Sequence, residues 1–217
     1  GLTEAQEATL GTIDLSADTD GDGIPDGTEV ALNLNPMVAD GSGLHVWIAQ
    51  GAGQTWSTPQ NWSQGVVPPA GANVIFGHGA GDCQVDTLNA VPASIRTLAG
   101  YSGTITLKQG FRGDGRLDLS GDLVLESGSM AAEAHSLDGN GTGVTIIAAN
   151  VTIATGAKLH ADGLGFGPAS GPGKGMSAGG EAGGGSHGGS GGRGANGAAA
   201  AGGSPYGSWE FPNSLGS

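Results

Sequence analysis

Five carboxylates crowd into twelve residues near the amino end: Asp18, Asp20, Asp22, Asp26 and Glu29, set around Gly23 in the run Asp-Thr-Asp-Gly-Asp-Gly-Ile-Pro-Asp-Gly-Thr-Glu. Alternate side chains of a tightly curled loop point the same way. That suits a hard divalent cation, which gathers about six to eight oxygens at roughly 2.3–2.6 Å. The pattern D-x-[DN]-x-[DN]-G, then five residues and Glu, is that of a calcium loop, and the segment meets it at every specified place. On this pattern Asp18, Asp20 and Asp22 supply the first three ligands and the backbone carbonyl of Ile24 the fourth. Asp26 is a direct or water-mediated ligand, Glu29 the bidentate closer, and Gly23 permits the sharp turn. The competing reading is an acidic, solvated turn with an accidental match, and five positions fixed at once argue against it. Ca2+ is therefore the expected cofactor.

A loop of this kind needs flanks. No entering helix is expected, because Gly11 to Ser16 reads as extended chain. On the exit side Thr28 to Leu34 reads as helical, and Asn35-Pro36 is expected to end it.

With Pro25 inside the loop and Leu34-Asn35-Pro36 just after it, residues 14–40 resemble the thrombospondin type 3 and dockerin-like calcium repeats of bacterial surface proteins. The resemblance implies that Asp18, Asp20, Asp22, Asp26 and Glu29 are structural ligands that stiffen an extracellular segment and do no chemistry. Dockerins grip a partner with two such loops, and one occurs here.

Composition narrows the remaining classes. The chain has 217 residues, 46 of them Gly, and a charged fraction of 12%, which does not describe one conventional globular domain. The net charge of −13 arises mostly from residues 1–43, with nine acids and no base. Seven scattered basic residues give no cluster to neutralise phosphates, so nucleic acid is not an expected partner. The single cysteine, Cys83, excludes an intrachain disulfide framework and the usual zinc arrangements, and reads as a small buried hydrophobe. No run of about 20 apolar residues is present, so no membrane span is expected in this chain. No signal peptide is read in the sequence given, and the abrupt start at Gly1 and stop at Ser217 lead to the expectation of a fragment or a processed product. A weak calcium loop fills at the millimolar calcium outside cells, which points to an extracellular or cell-surface location.

From His45 to Gly163 short apolar and polar residues alternate between Gly, Asn, Asp and Ser, the pattern of strands. Ten are expected: 46–48, 73–76, 84–87, 94–98, 103–107, 116–119, 123–126, 143–148, 151–154 and 158–161, with no helix of ordinary length between them. Asp122 to Met130 aligns with Asn150 to Lys158 at an offset of 28 residues. Repeats of 20 to 50 residues suggest a solenoid, in which stacked turns bury aliphatic ladders that no turn can bury alone. Leu123 over Val151 and Leu125 over Ile153 are the expected rungs. An antiparallel sandwich is the alternative.

The stretches Leu98 to Leu107 and Asn150 to Leu159 resemble right-handed parallel β-helix coils of large bacterial surface and autotransporter-like proteins. Trp56 to Ser63, followed by Gly65-Val66-Val67-Pro68, is similar to the segment that often opens such repeats. The likeness covers residues 44–163 and implies architecture rather than activity.

Several residues admit a second reading. Trp47, Trp56 and Trp62 could stack on sugar rings, but large aromatics dominate the burial of small cores and a solenoid needs its first turn capped, so capping is favoured. Arg112, Asp114, Arg116 and Asp118 would share one face of a strand, as in a polysaccharide lyase or hydrolase. Gly113 and Gly115 suggest a loop instead, and a plain solvated charge pattern is favoured. His45, His78, His135, His160 and His187 show no metal-like pairing and read as surface residues. Thr104, Thr106 and Thr152 are too few for a threonine ladder.

Residues 164–203 are glycine-rich. Stepping by three from Gly167 to Gly203 gives thirteen positions holding nine Gly, two Ala, one Ser and Met176. That period suits a polyproline II-type helix approached closely along one edge, and a flexible linker is the alternative. Tyr206 to Pro212 then restores aromatic content, so ordered chain is expected to resume.

The expected whole is all-β: a calcium half-hand with one short helix (1–43), a short right-handed parallel β-solenoid (44–163) and a glycine-rich extension (164–217). The expected function is an extracellular, calcium-stabilised structural or adhesive surface protein without catalysis, self-associating into a homopolymer, filament or surface assembly. A polysaccharide-binding or polysaccharide-active module is the alternative, with carbohydrate as partner and Trp56, Trp62, Arg112, Asp114, Arg116 and Asp118 as its surface.

Overall fold

A computed structural model describes residues 2–13, 15–39, 43–133, 143–162, 173–178, 181–185, 190–192, 194 and 201–205. They fall into two compact units. One takes in Gly1–Leu107, Arg116–Ala131 and Ile146–His160, and the other Lys108–Gly115, Ala132–Thr145 and Ala161–Ser217.

Two short helices open the first unit. Helix α1, Glu4–Leu10, begins with a capping box between Thr3 and Gln6 and stops at Gly11, φ 80°, so the alanine-rich turn before Gly11 was a helix that the extended reading of 11–16 overlooked. Helix α2, Asp26–Leu32, starts two residues before the expected Thr28. Asn33 ends it in the left-handed conformation at φ 58°, before Asn35-Pro36 is reached. Asn tolerates that region because its short side chain adds little steric cost.

The rest of the unit is a parallel β-solenoid of about four turns. One sheet stacks β1 (Leu44–Trp47), β2 (Asn73–Phe76), β4 (Ser94–Thr97), β7 (Leu123–Leu125) and β10 (Val151–Ile153). A second stacks β3 (Cys83–Val85), β5 (Thr104–Leu107), β8 (Ser129–Ala132) and β11 (Lys158–His160). Strand β6 (Arg116–Asp118) pairs with β9 (Thr145–Ile147).

Registers show why these short strands hold. Val74, Ile95 and Leu123 form one inward rung, and Val151 lies on Leu123. Phe76, Thr97, Leu125 and Ile153 form the next. Both rungs expected from the 28-residue repeat are present. Thr97, fully buried, is satisfied by donating to the Ser127 carbonyl at 2.7 Å and accepting the Glu126 N–H at 3.1 Å. The repeat slips by one after the corner: Leu159, not Lys158, lies on Met130. Ala157 is the extra residue, and the shift keeps a leucine over the buried methionine. Strand β8 itself was absent from the expected set, since Ser-Met-Ala-Ala carries no β-branched signal.

At one corner each coil turns through a glycine of positive φ, namely Gly79 (77°), Gly100 (86°), Gly128 (72°) and Gly156 (92°). Each lies six residues beyond Asn73, Ser94, Asp122 or Asn150, a polar ladder in which Ser94 donates to Asn73 at 2.7 Å and Asn150 to Asp122 at 2.8 Å.

The second unit contains a small antiparallel pair, β12 (Ser177–Ala178) with β13 (Glu181–Ala182). Around it, extended segments bond backbone to backbone: Met176 to Ala201, Gly183 to Met176, Gly184 to Gly192, Gly191 to Gly203 and Gly203 to Gly184, donor first. A Cβ would lie 2.1 Å from the Gly183 carbonyl oxygen at Gly175, 2.0 Å from that of Gly184 at Gly191, 1.9 Å from that of Gly191 at Gly202 and 1.7 Å from that of Gly173 at Gly203. None of these four has a positive φ, so close approach, not turning, demands glycine here. Gly175 and Gly202 lie outside the three-residue frame. Close approach along one edge was therefore too narrow an expectation, because a segment with several neighbours needs glycine on several sides.

Candidate metal centre

The loop between the helices curls by hydrogen bonding to its own carboxylates. Asp18 accepts the N–H groups of Gly21 and Gly23, one on each oxygen and both at 2.9 Å. Asp20 accepts from Asp22 N–H at 3.1 Å, and Asp22 from Ile24 N–H at 2.8 Å. These short-range bonds are the habit of Asp in turns. Their result is that Asp18, Asp20 and Asp22 each offer an oxygen within 4.8 Å of the others, an arrangement able to hold a metal ion.

The remaining expected ligands are placed differently. Asp26 is buried at the start of α2, and its two oxygens accept the Thr19 N–H at 2.7 Å and the Thr19 hydroxyl at 2.8 Å. It clasps the loop across seven residues and stands outside the close set of three. Glu29 is wholly buried on α2. Ile24 is also wholly buried and joins Val46, Ile75 and Leu98 in a core cluster, with Leu32, Leu44 and Ile48 packed against it.

The donor set tests the metal directly. It is all oxygen and all carboxylate, with no imidazole or thiolate among the three, which fits a hard cation and not a thiophilic one.

The described tryptophans are packed away. Trp47, Trp56 and Trp62 are each 1% exposed. Trp62 meets Trp47 edge-on at 5.1 Å and Trp56 at 4.6 Å, and Phe76 continues the cluster. The Trp62 indole N–H donates to the Trp56 carbonyl at 2.8 Å. Segment 61–63 covers the outer edge of β1: Ile48 N–H donates to Asn61 at 2.9 Å and Ser63 N–H to Val46 at 2.9 Å. This is the capped first turn, and Trp47, Trp56 and Trp62 leave no indole face for a sugar.

The four alternating charges do not share a strand face. In the second unit Arg112 pairs with Asp114 at 3.2 Å, within a turn. In the first, Arg116 pairs with Asp118 at 3.0 Å on β6, while Leu117 between them is buried. Glycine at 113 and 115 breaks the run, as their backbone freedom allows.

Among the histidines, His78 is exposed, whereas His45 is 3% exposed and contradicts the surface reading. Burial lowers its pKa. His135 and His187 lie outside the described residues. Cys83 is buried, as expected, and burial first, then Asp86 and Asp82, push its thiol pKa well up. Thr106 belongs to the second sheet and Thr152 to the first, so they form no ladder.

Comparison with protein-family models, with curated proteins and with solved structures finds no match for this chain. No described helix is long and apolar enough to cross a membrane.

Proposed function

We propose that this chain is an extracellular structural or adhesive segment whose solenoid is stabilised by Ca2+. The observation that carries the reading is the convergence of Asp18, Asp20 and Asp22 within 4.8 Å on a loop that also carries Ile24, a core residue packed against the solenoid. A bound cation supplies the charge that lets these carboxylates stay together. Asp18, Asp20 and Asp22 hold it, the Ile24 carbonyl and Glu29 complete the shell, and Asp26 holds the loop closed through Thr19.

Self-association belongs to the same reading. The last coil leaves Ile147, Val151, Ile153 and Leu159 exposed by 44, 51, 45 and 38%, where the preceding coil buries Leu123, Leu125 and Met130 completely. The outer edge of β1 is already bonded to 61–63, so two copies meet open end to open end, a contact that closes on itself.

The test is thermal unfolding with light scattering, at millimolar calcium and with chelator. The reading expects a higher melting temperature with calcium and a particle of twice the chain mass. An unchanged melting temperature refutes the calcium stabilisation, and a monomer at high concentration refutes the association.

A further inference from the structure

The metal loop rests on the segment that closes the solenoid. A Cβ on Gly23 would lie 2.2 Å from the backbone oxygen of Ser63, 3.0 Å from its carbonyl carbon and 3.2 Å from its Cα. Gly23 also has φ 90°, so two independent demands select glycine there. Ser63 is itself fastened to β1 at both ends of Val46: its N–H donates to the Val46 carbonyl at 2.9 Å, and its hydroxyl accepts the Val46 N–H at 3.1 Å. Beside Gly23, Ile24 packs on that same Val46. The loop thus grips the cap segment by backbone and the capped strand by side chain, one residue apart. Trp62 precedes Ser63 and stands between Trp47 and Trp56.

We propose that the calcium loop is the latch of the aromatic plug: cation binding at Asp18, Asp20 and Asp22 and closure of 61–63 over β1 are one coupled event. The inference rests on the calcium reading above. Without a cation, three carboxylates within 4.8 Å repel, the curl of the loop relaxes, and Gly23 and Ile24 leave Ser63 and Val46. Coupling is reciprocal. Calcium therefore protects the tryptophans, and an intact plug tightens calcium binding.

Asn61 allows the second half to be tested away from the loop. It is wholly buried, accepts the Gly51 N–H at 2.6 Å and donates to the Thr55 carbonyl at 2.9 Å. The experiment uses the full chain carrying Trp209→Phe, so that only Trp47, Trp56 and Trp62 fluoresce. Acrylamide quenching is measured with calcium and with chelator, and calcium affinity by calorimetry with and without Asn61→Ala. Expected are a several-fold fall in quenching on adding calcium and about a tenfold loss of affinity in Asn61→Ala, within the usual range of coupling. Calcium that binds while quenching stays the same overturns the latch and leaves the calcium site standing. Unchanged affinity in a folded Asn61→Ala does the same. No calcium binding to the parent chain overturns both. Should Asn61→Ala fail to fold by circular dichroism, quenching in the parent chain decides alone.

Discussion

His45 faces Val74 across the first step of the solenoid ladder, with its Nδ1 buried and lacking a hydrogen-bond partner among the described residues. A neutral imidazole tolerates that setting and an imidazolium does not. Its folded pKa is lowered from 6.5 by burial, so the unfolded chain takes up the proton first. Stability is then full above about pH 6.5 and falls as pH drops below it toward the folded value. Urea denaturation from pH 8 to pH 5 will show a falling midpoint, and His45→Leu will flatten the curve above the carboxylate range. Parallel curves for the two chains would rule His45 out as the source.

Leu125 and Ile153 occupy successive steps of one rung, yet Leu125 is wholly buried and Ile153 is 45% exposed. Truncating Leu125 to Ala removes packing on both sides and leaves a cavity, at a cost of about 2–5 kcal/mol. Ile153→Ala will cost about 1 kcal/mol or less, because much of its side chain already meets water. Equal losses in chemical denaturation would mean that the last coil is covered in solution, as the open-end association requires at high concentration. The comparison is therefore made at low micromolar concentration and then repeated at high.

Gly203 and Gly192 form a matched pair within the glycine-rich unit. A Cβ at Gly203 would lie 1.7 Å from the Gly173 oxygen, while one at Gly192 meets nothing within 4 Å. Gly203→Ala will raise amide exchange at position 203 and at Gly191 together, since the Gly203 N–H donates to the Gly184 carbonyl and the Gly203 carbonyl accepts the Gly191 N–H. Gly192→Ala will leave exchange unchanged. Similar behaviour of the two variants would return the segment to the status of a linker.

Asp18 offers an oxygen to the three-carboxylate cluster and accepts the two bonds that curl the loop. Asp18→Ala will abolish the calcium-dependent rise in melting temperature and lower stability in chelator as well. For the parent chain, calcium at a hundred times its dissociation constant is worth about 2.7 kcal/mol. Retention of the full calcium effect in Asp18→Ala would place the ion elsewhere.

Much of this architecture was legible because it is periodic. The 28-residue offset, the paired rungs and the Gly128/Gly156 corner all follow from one alignment, and parallel stacking enforces them. The slip that puts Leu159 on Met130 was not legible, since a single inserted residue between corner and strand costs the repeat nothing until the core is built. His45 was misread for a related reason. Its neighbours in sequence are Leu44 and Val46, and only Val74 from the next coil reveals which side is interior. The loop was clear from carboxylate spacing alone, but its seat on Ser63 lies 40 residues away and leaves no mark except Gly23, which the turn would have required anyway. The bonds from Thr19 to Asp26 were not legible either, because carboxylate spacing says nothing of which neighbours a carboxylate accepts from.

The plugged first coil and the open last coil give the solenoid a gradient along its axis. Each coil borrows stability from its neighbours, and the coils at β2 and β4 have an interleaved aromatic floor on one side and two further rungs on the other. Among the described residues, strands β9, β10 and β11 pair on one side only. Fraying will begin there and run toward the tryptophans, so amide protons of β10 exchange first and those of β2 last. The fold carries a built-in order of assembly and loss, read in time rather than in space, with the plug as its fixed origin.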